Sequence, residues 1–368
     1  MAGMVNMVGG LEFGGRVRGC LIGGAVGDAL GAPIEFDSIA GIRAAHGRGG
    51  ITDFVPDRRG RAGLITDDTQ MTLFTVEGLI RAGVRARDRA AGDPDGEVSV
   101  VRDAYLRWLD TQRFGAPPPA DGRVRSGRLR EQAWLYDQRA PGNACLSGLG
   151  QDLGAPAAPG TPGAVNPDSK GCGTVMRSAP FGLAFRDPRR AFGLAAACAQ
   201  ITHGHPTGYL AAGAFAALVS SIAYGGTLAG ALRDTLALLA EQPSNAETTA
   251  ALDAAVKLAA KGDPTPEAVE RLGGAWVAEE ALAIAVYCAL AHEADAERAL
   301  LLAVNHSGDS DSTGAICGNI LGALHGEAAL PRRWVSRLEG RDTITALADD
   351  LTAWLTTGQA DPDAYPGF

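Results

Sequence analysis

Five glycines at four-residue intervals constrain the fold more than any other feature of this 368-residue chain. They are Gly15, Gly19, Gly23, Gly27 and Gly31. The apolar segment around them predicts a helix over residues 15–31, with the glycines along one face. A face without side chains lets a second helix approach to backbone contact, as in glycine-mediated membrane dimers. Flanking charges favour a buried helix of a folded core over a membrane helix.

The rest of the chain predicts an all-α fold. Helical spacing of apolar residues recurs through long segments, whereas alternating runs bounded by hairpin turns are absent. Beside residues 15–31, the pattern predicts helices over 67–83, 98–112, 187–201, 206–223, 227–240, 246–260, 275–292, 296–304, 311–325 and 341–357. No internal repeat or composition shift marks a boundary, so we expect a single domain over residues 1–368. Loop insertions rich in proline and glycine are expected near 115–128 and 150–170.

Charge and cysteine usage exclude several classes of function. The formal net charge of −9 argues against a broad nucleic-acid surface. The six cysteines are scattered without a C-x-x-C pair, so we expect buried free thiols.

Residues 1–15 lack the charged and apolar regions of a signal peptide. Asp28 and Glu35 interrupt the apolar run of residues 19–36 before it reaches membrane-spanning length. We therefore expect a cytoplasmic monomer without a membrane partner.

Two short segments concentrate carboxylates and hydroxyls at the starts of apolar helices. They are Thr-Asp-Asp-Thr at residues 66–69 and Asp-Ser-Asp-Ser-Thr at residues 309–313. Taken alone, the first is typical of a helix N-cap. Together they would bury four aspartates, which is costly unless a cation neutralises them. A hard divalent ion with oxygen ligands from both segments is the simplest solution, and two Mg²⁺ or Mn²⁺ ions fit so many carboxylates better than one.

Further segments give weaker indications. Asp28 suits either a structural hydrogen bond or catalysis, and the sequence leaves both open. Glu35, among apolar neighbours, is placed to have a raised pKa or to reach a metal. The glycine-rich turn at 170–180 can present backbone N–H groups to phosphate. His203 and His205 have the spacing of a ligand pair, but the absence of a third soft ligand nearby favours a structural or substrate-contacting role.

In chain order, five motifs resemble those of the ADP-ribosylglycohydrolase family. They are Gly-Asp-Ala-Leu-Gly-Ala-Pro-Ile-Glu at 27–35, Thr-Asp-Asp-Thr at 66–69, Gly-Cys-Gly-Thr-Val-Met-Arg at 171–177, Thr-His-x-His-Pro-x-Gly-Tyr at 202–209 and Gly-Asp-Ser-Asp-Ser-Thr-Gly-Ala-Ile at 308–316. The resemblance extends over residues 15–326. It implies a compact orthogonal helical bundle with a binuclear Mg²⁺ or Mn²⁺ centre in a cleft.

The resemblance also implies roles for individual residues. The metal ligands would be Thr66, Asp67 and Asp68 for one ion, Asp309 and Ser312 for the other, and Asp311 as the bridge. Family members commonly have threonine at the position of Ser312, and the hydroxyl is retained here. The residues expected to be catalytic are Glu35, Asp67, Asp68 and Asp311. The substrate-binding residues would be Gly171, Gly173, Thr174 and Met176 around the diphosphate, with His203 and Tyr209 near the ADP-ribose.

The implied reaction is hydrolysis of an N- or O-glycosidic bond at the anomeric carbon of the distal ribose, through an oxocarbenium-like transition state. The substrate would be ADP-ribosylated protein and the product ADP-ribose. Residues 139–146 and the 150–170 loop resemble bacterial arginine-type members more than serine-type ones, so we expect an arginine linkage. ADP-ribosylserine, O-acetyl-ADP-ribose, an ADP-ribosylated nucleobase and a non-catalytic binding or immunity role stay open.

Overall fold

A computed structural model describes residues 12–88, 94–122 and 124–367 of the chain. Its sixteen helices are, in chain order, α1 (Phe13–Gly31), α2 (Ile39–His46), α3 (Asp67–Asp88), α4 (Pro94–Arg113), α5 (Asn143–Gly148), α6 (Ala179–Ala184), α7 (Pro188–Ala199), α8 (Pro206–Ala223), α9 (Leu228–Ala240), α10 (Ala246–Ala259), α11 (Pro266–Val269), α12 (Ala278–Ala291), α13 (Ala296–Val304), α14 (Ser310–His325), α15 (Arg332–Val335) and α16 (Arg341–Thr357). Apart from one isolated bridge between Gly171 and Val277, the described ranges form no β-structure. The all-α prediction is confirmed.

Each of the eleven expected segments overlaps a helix, and the structure adds five short ones. The additional helices are α2, α5, α6, α11 and α15, and the longest of them has 8 residues. So few residues do not complete the periodic apolar pattern by which a helix is recognised in a sequence. The division into a single domain with two loop insertions stays a prediction.

The glycine stripe of α1 packs antiparallel against a matching stripe on α14. Going along α1, Gly19 meets Gly322, Gly23 meets Gly318 and Gly27 meets Gly314, and a Cβ added to any of these glycines would overlap the backbone opposite. The side chain of Asn319 adds a hydrogen bond from Nδ2 to the Cys20 carbonyl, at 2.8 Å. The expected close helix contact is therefore confirmed, although Gly15 has no neighbour within 4 Å of such a Cβ.

This helix pair determines where the acidic segments lie. Gly31, the last residue of α1, abuts the backbone of Ser310 and Asp311 at the start of α14. The antiparallel arrangement therefore places Asp28 and Glu35, near the end of α1, beside the first turn of α14. Backbone contact leaves these carboxylates little freedom to move apart.

The core is continuous from Phe13 to Tyr365, with α8 near its centre. By length and composition α8 could cross a bilayer, but 94% of its apolar window is buried inside the fold, as in a core helix. All six cysteines are free, and five of them are buried, which confirms the expectation of unpaired thiols.

Candidate metal centre and binding cavity

The start of α3 is held in place by Asp28. Its fully buried carboxylate accepts hydrogen bonds from the backbone N–H of Thr66 at 3.0 Å and of Thr69 at 3.1 Å, and from the Thr69 hydroxyl. Burial nevertheless raises the pKa of Asp28 to about 6. Asp28, which belongs to α1, thus does for α3 what an N-cap residue normally does from within the same segment. Of the two roles that the sequence leaves open, the contacts support the structural one.

The start of α14 is shaped by a turn that only glycine accommodates easily. Gly308 has a φ of +124°, and a Cβ there would overlap the Gly274 carbonyl. The next residue, Asp309, caps α14 by accepting a hydrogen bond from the Ser312 N–H at 3.3 Å. Thr313 faces away from the acidic residues and bonds to His306 at 2.9 Å. The turn therefore directs one set of polar side chains into the cavity and another into the core.

The acidic side chains converge at the point where α1, α3 and α14 meet. Glu35, Asp309 and Asp311 are buried, and one carboxylate oxygen from each lies within 4.8 Å of the other two. Asp67 and Asp68 face the same space from the first turn of α3. One oxygen of Asp68 (Oδ2) and one of Asp311 (Oδ1) are buried without a hydrogen-bond partner in the described part of the chain. These five residues are called the acidic cluster below.

Burial and mutual repulsion govern the electrostatics of the acidic cluster. Burial raises the pKa values of Asp67, Asp68 and Asp311 well above their usual range. It raises the pKa of Glu35 to about 8, with further contributions from the charges of Asp309 and Asp28. Carboxylates this close and this buried ionise together only if positive charge is supplied. Two of the carboxylate oxygens have no partner, and every member of the cluster offers oxygen atoms as ligands. The cluster therefore fits a hard divalent cation.

The acidic cluster forms one wall of a cavity of about 400 Å³. Among the sequence-predicted site residues, the structure brings Glu35, Asp67, Asp68, Gly171, Gly173, Met176, His203, Asp309, Asp311 and Ser312 to its lining. Neither lysine nor arginine occurs among the described lining residues. A negatively charged part of a ligand would therefore need a cation from solution, backbone N–H groups or a neutral donor such as His203.

Three predicted site residues do not line this cavity but form hydrogen bonds to segments around it. They are Thr66, Thr174 and Tyr209. The Thr66 hydroxyl accepts a hydrogen bond from the Asp68 N–H at 3.3 Å. The Thr174 hydroxyl donates to the Gly208 carbonyl at 2.9 Å, which ties the glycine-rich turn to α8. The Tyr209 hydroxyl donates to a carbonyl of the 150–170 loop at 3.0 Å. These contacts position the cavity walls, and direct ligand contact by the three residues stays a prediction.

His205, the second histidine of the candidate pair, does not reach the cavity. Its Nδ1 accepts a hydrogen bond from the Thr207 N–H at 3.2 Å and thereby caps α8. His203 alone lines the cavity. His205 therefore has a structural role, one of the two roles that the sequence favours for this pair.

Several lining residues carry no recognisable signal in the sequence. Phe36 and Trp276 stack at the cavity, with ring centroids 5.6 Å apart and planes 19° apart, and remain 75% and 47% exposed. The Cys172 thiol lies against the acidic cluster and donates to Asp309 Oδ2 at 2.7 Å. Cys145 also lines the cavity. The aromatic pair joins residues 240 positions apart, and the cysteines look like ordinary core thiols in the sequence.

Known proteins are similar to this chain in sequence and in fold. It is 26% identical to the ADP-ribosylhydrolase ARH3 of Bos taurus, over 91% of this chain and 92% of that protein. It is 24% identical to the ADP-ribosylarginine hydrolase Tri1 of Serratia proteamaculans, over 91% of this chain and 78% of that protein. A solved ADP-ribosylglycohydrolase-related protein complex contains a chain with the same fold, with a TM-score of 0.64 and 24% identity over 94% of this chain and 99% of that chain.

The family assignment rests on nearly the full length of the chain. Residues 11–360 match the sequence profile of the ADP-ribosylglycohydrolases. The matched region includes all of the residues of the acidic cluster and the glycine-rich turn. The chain belongs to the ADP-ribosylglycohydrolase family and is a hydrolase of glycosidic bonds.

Proposed function

We propose that this enzyme removes ADP-ribose from modified arginine side chains, using two divalent ions, Mg²⁺ or Mn²⁺. The observation that carries the proposal is the buried acidic cluster, which lines a cavity and has no cationic partner among the described residues. Structural carboxylates that are buried in proteins are normally paired. Unpaired buried carboxylates in a cavity are characteristic of a functional site.

Residues at the starts of two helices would hold the ions. Asp67 and Asp68 contribute from α3, and Asp309, Asp311 and Ser312 from α14. The ions, when bound, orient the hydroxyls of the distal ribose and lower the pKa of the attacking water. Asp28 keeps the first turn of α3 in place for this arrangement, and the α1–α14 glycine contact fixes the first turn of α14.

Glu35 is the residue that we assign to proton transfer. It lies at the cavity wall beside Asp309 and Asp311, where the positive charge of the bound ions would keep its carboxylate ionised and able to act as a base near neutral pH. Its carboxylate accepts the proton of the attacking water as the glycosidic bond breaks, and the leaving group departs on the opposite face of the ribose. The remaining carboxylates stabilise the positive charge that develops at the anomeric carbon.

Charge and shape at the cavity mouth support arginine as the acceptor. An arginine leaving group is a planar cation that stacks on aromatic rings and is drawn to carboxylates. Phe36 and Trp276 present exposed ring surface beside the acidic cluster, without a competing cation among the described lining residues. The relative from Serratia proteamaculans is named as an ADP-ribosylarginine hydrolase.

The test measures ADP-ribose release from arginine-modified and serine-modified protein, each with Mg²⁺, with Mn²⁺ and with EDTA. We expect release from the arginine linkage that EDTA abolishes and that either ion restores. Release from the serine linkage alone would overturn the assignment of arginine as the modified residue, but not the assignment of hydrolase activity. Release that EDTA does not change would overturn the metal assignment.

A matched pair of variants separates acceptor recognition from chemistry. Replacing the exposed ring in Trp276→Ala should raise KM for the arginine-modified substrate by about fivefold, since a cation–π contact contributes on the order of 1 kcal/mol. Phe114 is also exposed but does not line the cavity, so Phe114→Ala is the control. Equal KM values for the two variants would count against the aromatic pair as the arginine contact.

A further inference from the structure

A buried arginine beside the cavity has no acidic partner. Arg177 is 1% exposed and forms no ion pair within the described ranges. Its Nη1 contacts Met71 Sδ and Cys145 Sγ, both at 3.5 Å, and its guanidinium lies 4.4 Å from the centre of the Tyr105 ring. Its shortest hydrogen bond runs from Nη2 to Thr202 Oγ1, at 2.6 Å. The Thr202 hydroxyl is therefore the group that Arg177 holds most closely.

The direction of the Thr202 hydroxyl bond follows from what each partner can donate. A guanidinium only donates, so Thr202 Oγ1 is the acceptor toward Arg177 and its own proton is directed elsewhere. Two acceptors are in reach: His203 Nδ1 at 2.7 Å and the Ala199 carbonyl at 3.4 Å. The shorter contact has the length of a good hydrogen bond, and the longer one does not. Thr202 therefore donates to His203 Nδ1.

A neutral imidazole whose Nδ1 accepts a hydrogen bond carries its proton on Nε2. His203 is neutral at physiological pH, because burial, followed by the charge of Arg177, lowers its pKa to about 3. Its Nε2 has no hydrogen-bond partner in the part of the chain that the structure describes, and His203 lines the cavity. That edge of the ring faces the glycine-rich turn, where a Cβ on Gly171 would come within 3.2 Å of Nε2.

We propose that Thr202, held by Arg177, is a positioning residue that fixes the His203 tautomer, so that Nε2–H donates to a phosphoryl oxygen of the bound ligand. The ligand's identity as an ADP-ribosyl group rests on the proposed function. A neutral donor suits this wall of the cavity, since a cation there would compete with the bound divalent ions for the carboxylates. The glycines at 171 and 173 leave the donor accessible.

The tautomer can be observed without any ligand. In ¹⁵N NMR spectra of the whole protein, wild-type His203 should show a pyridine-type Nδ1 and a pyrrole-type Nε2, with His203→Asn used to assign the signals. The isosteric Thr202→Val removes the donated proton, and we expect the pattern to shift toward the Nδ1–H tautomer. Thr202→Ser should restore it. As the control, Thr235→Val replaces a threonine whose buried hydroxyl has no partner in the described chain, and it should change nothing.

Ligand affinity tests the donor role. We expect Thr202→Val to weaken ADP-ribose binding about tenfold in calorimetry, since the lost bond is to a charged oxygen, and Thr202→Ser to bind within about threefold of wild type. An unchanged tautomer in Thr202→Val overturns the positioning role. A changed tautomer with unchanged affinity overturns donation to the ligand. If wild type shows the Nε2–H tautomer but does not bind ADP-ribose, the proposed function and the donor role fail, and the assignment of the tautomer survives.

Discussion

Helix α3 carries buried acidic residues in two places, and their surroundings differ. Glu77, in the middle of the helix, accepts a hydrogen bond from Arg107 Nε at 2.9 Å and lies 3.4 Å from Arg81 Nη1. All three side chains are at most 1% exposed. Asp67 and Asp68, at the start of the same helix, are equally inaccessible but have no cationic partner within the described ranges.

The difference separates a structural group from a functional one. The two arginines around Glu77 use further donors to hold a loop, through the Val124 carbonyl and Ser126. Glu77 thus has its counter-charge within the chain. The acidic cluster has unpartnered oxygens and no counter-charge among the described residues, so its carboxylates would ionise together only with a cation from outside the chain. Burial of a carboxylate alone therefore does not identify the site, whereas burial without a cation does.

The largest effect should come from removing one charge from the acidic cluster. We expect Asp311→Asn to lower kcat/KM for ADP-ribose release at least about 10³-fold, since one developing-charge contact and one metal ligand are lost together. The free energy of unfolding in EDTA should stay the same or rise, because an uncompensated buried charge disappears. Activity within tenfold of wild type would remove Asp311 from the mechanism.

The matching change at Glu77 should have the opposite character. Glu77→Gln leaves two buried arginines without a carboxylate, so we expect the free energy of unfolding to fall by about 3–5 kcal/mol. Mg²⁺ affinity of the folded protein should be unchanged. Urea unfolding gives the first quantity and calorimetric titration the second. If Glu77→Gln and Asp311→Asn destabilise the EDTA-treated protein equally, the distinction between the two clusters is wrong.

Much of the fold and part of the site are visible in the sequence, because their causes are local. Helical periodicity and the four-residue glycine spacing depend only on neighbours along the chain, and both led to correct predictions. The convergence of residues 66–69 and 309–313 was also foreseeable, since buried carboxylates in quantity require a shared cation. Arg81 is foreseeable as a partner of Glu77, since the two are four residues apart on one helix.

The missing parts depend on which distant segments meet. Nothing near Phe36 predicts its contact with Trp276, and nothing near Asp309 predicts the Cys172 thiol against it. The role of Asp28 could not be decided from the sequence, because it depends on the backbone N–H groups that face its carboxylate. Short helices such as α5 depend on tertiary packing more than on an apolar pattern of their own.

A change at the glycine contact tests whether the acidic cluster depends on helix spacing. In Gly23→Ala the new methyl group overlaps the Gly318 carbonyl, which belongs to the backbone and cannot rotate away as a side chain can. We therefore expect the free energy of unfolding to fall by about 2–3 kcal/mol. Mg²⁺ affinity should fall as well, because Glu35 lies just beyond the end of α1 and meets Asp309 and Asp311 at the start of α14. Gly15→Ala is the matched control on the same helix, with nothing within 4 Å of the added carbon, and it should be neutral or slightly stabilising. Equal effects of the two substitutions would contradict the close contact.

Without metal, the stability of the fold should depend on pH. Folding raises the pKa of Glu35 from 4.5 to about 8, so the folded state binds this proton more tightly than the unfolded state. The stability that this proton contributes is complete below pH 4.5 and is lost as the pH rises through about 8. The raised pKa values of Asp67, Asp68 and Asp311 act in the same direction. In EDTA, Tm should therefore fall between acidic and mildly alkaline pH.

A saturating divalent ion should flatten this decline, because it stabilises the ionised carboxylates. At a concentration 100 times Kd, binding adds about 2.7 kcal/mol to the free energy of unfolding, and the gain should grow with pH as protons stop competing for the carboxylates. Glu77 contributes nothing to this difference, since its arginines neutralise it with or without metal. Tm measured by calorimetry against pH, with Mg²⁺ and with EDTA, gives the two curves. If they coincide across the range, the acidic cluster does not take its counter-charge from a divalent ion, and the contrast with Glu77 needs another cause.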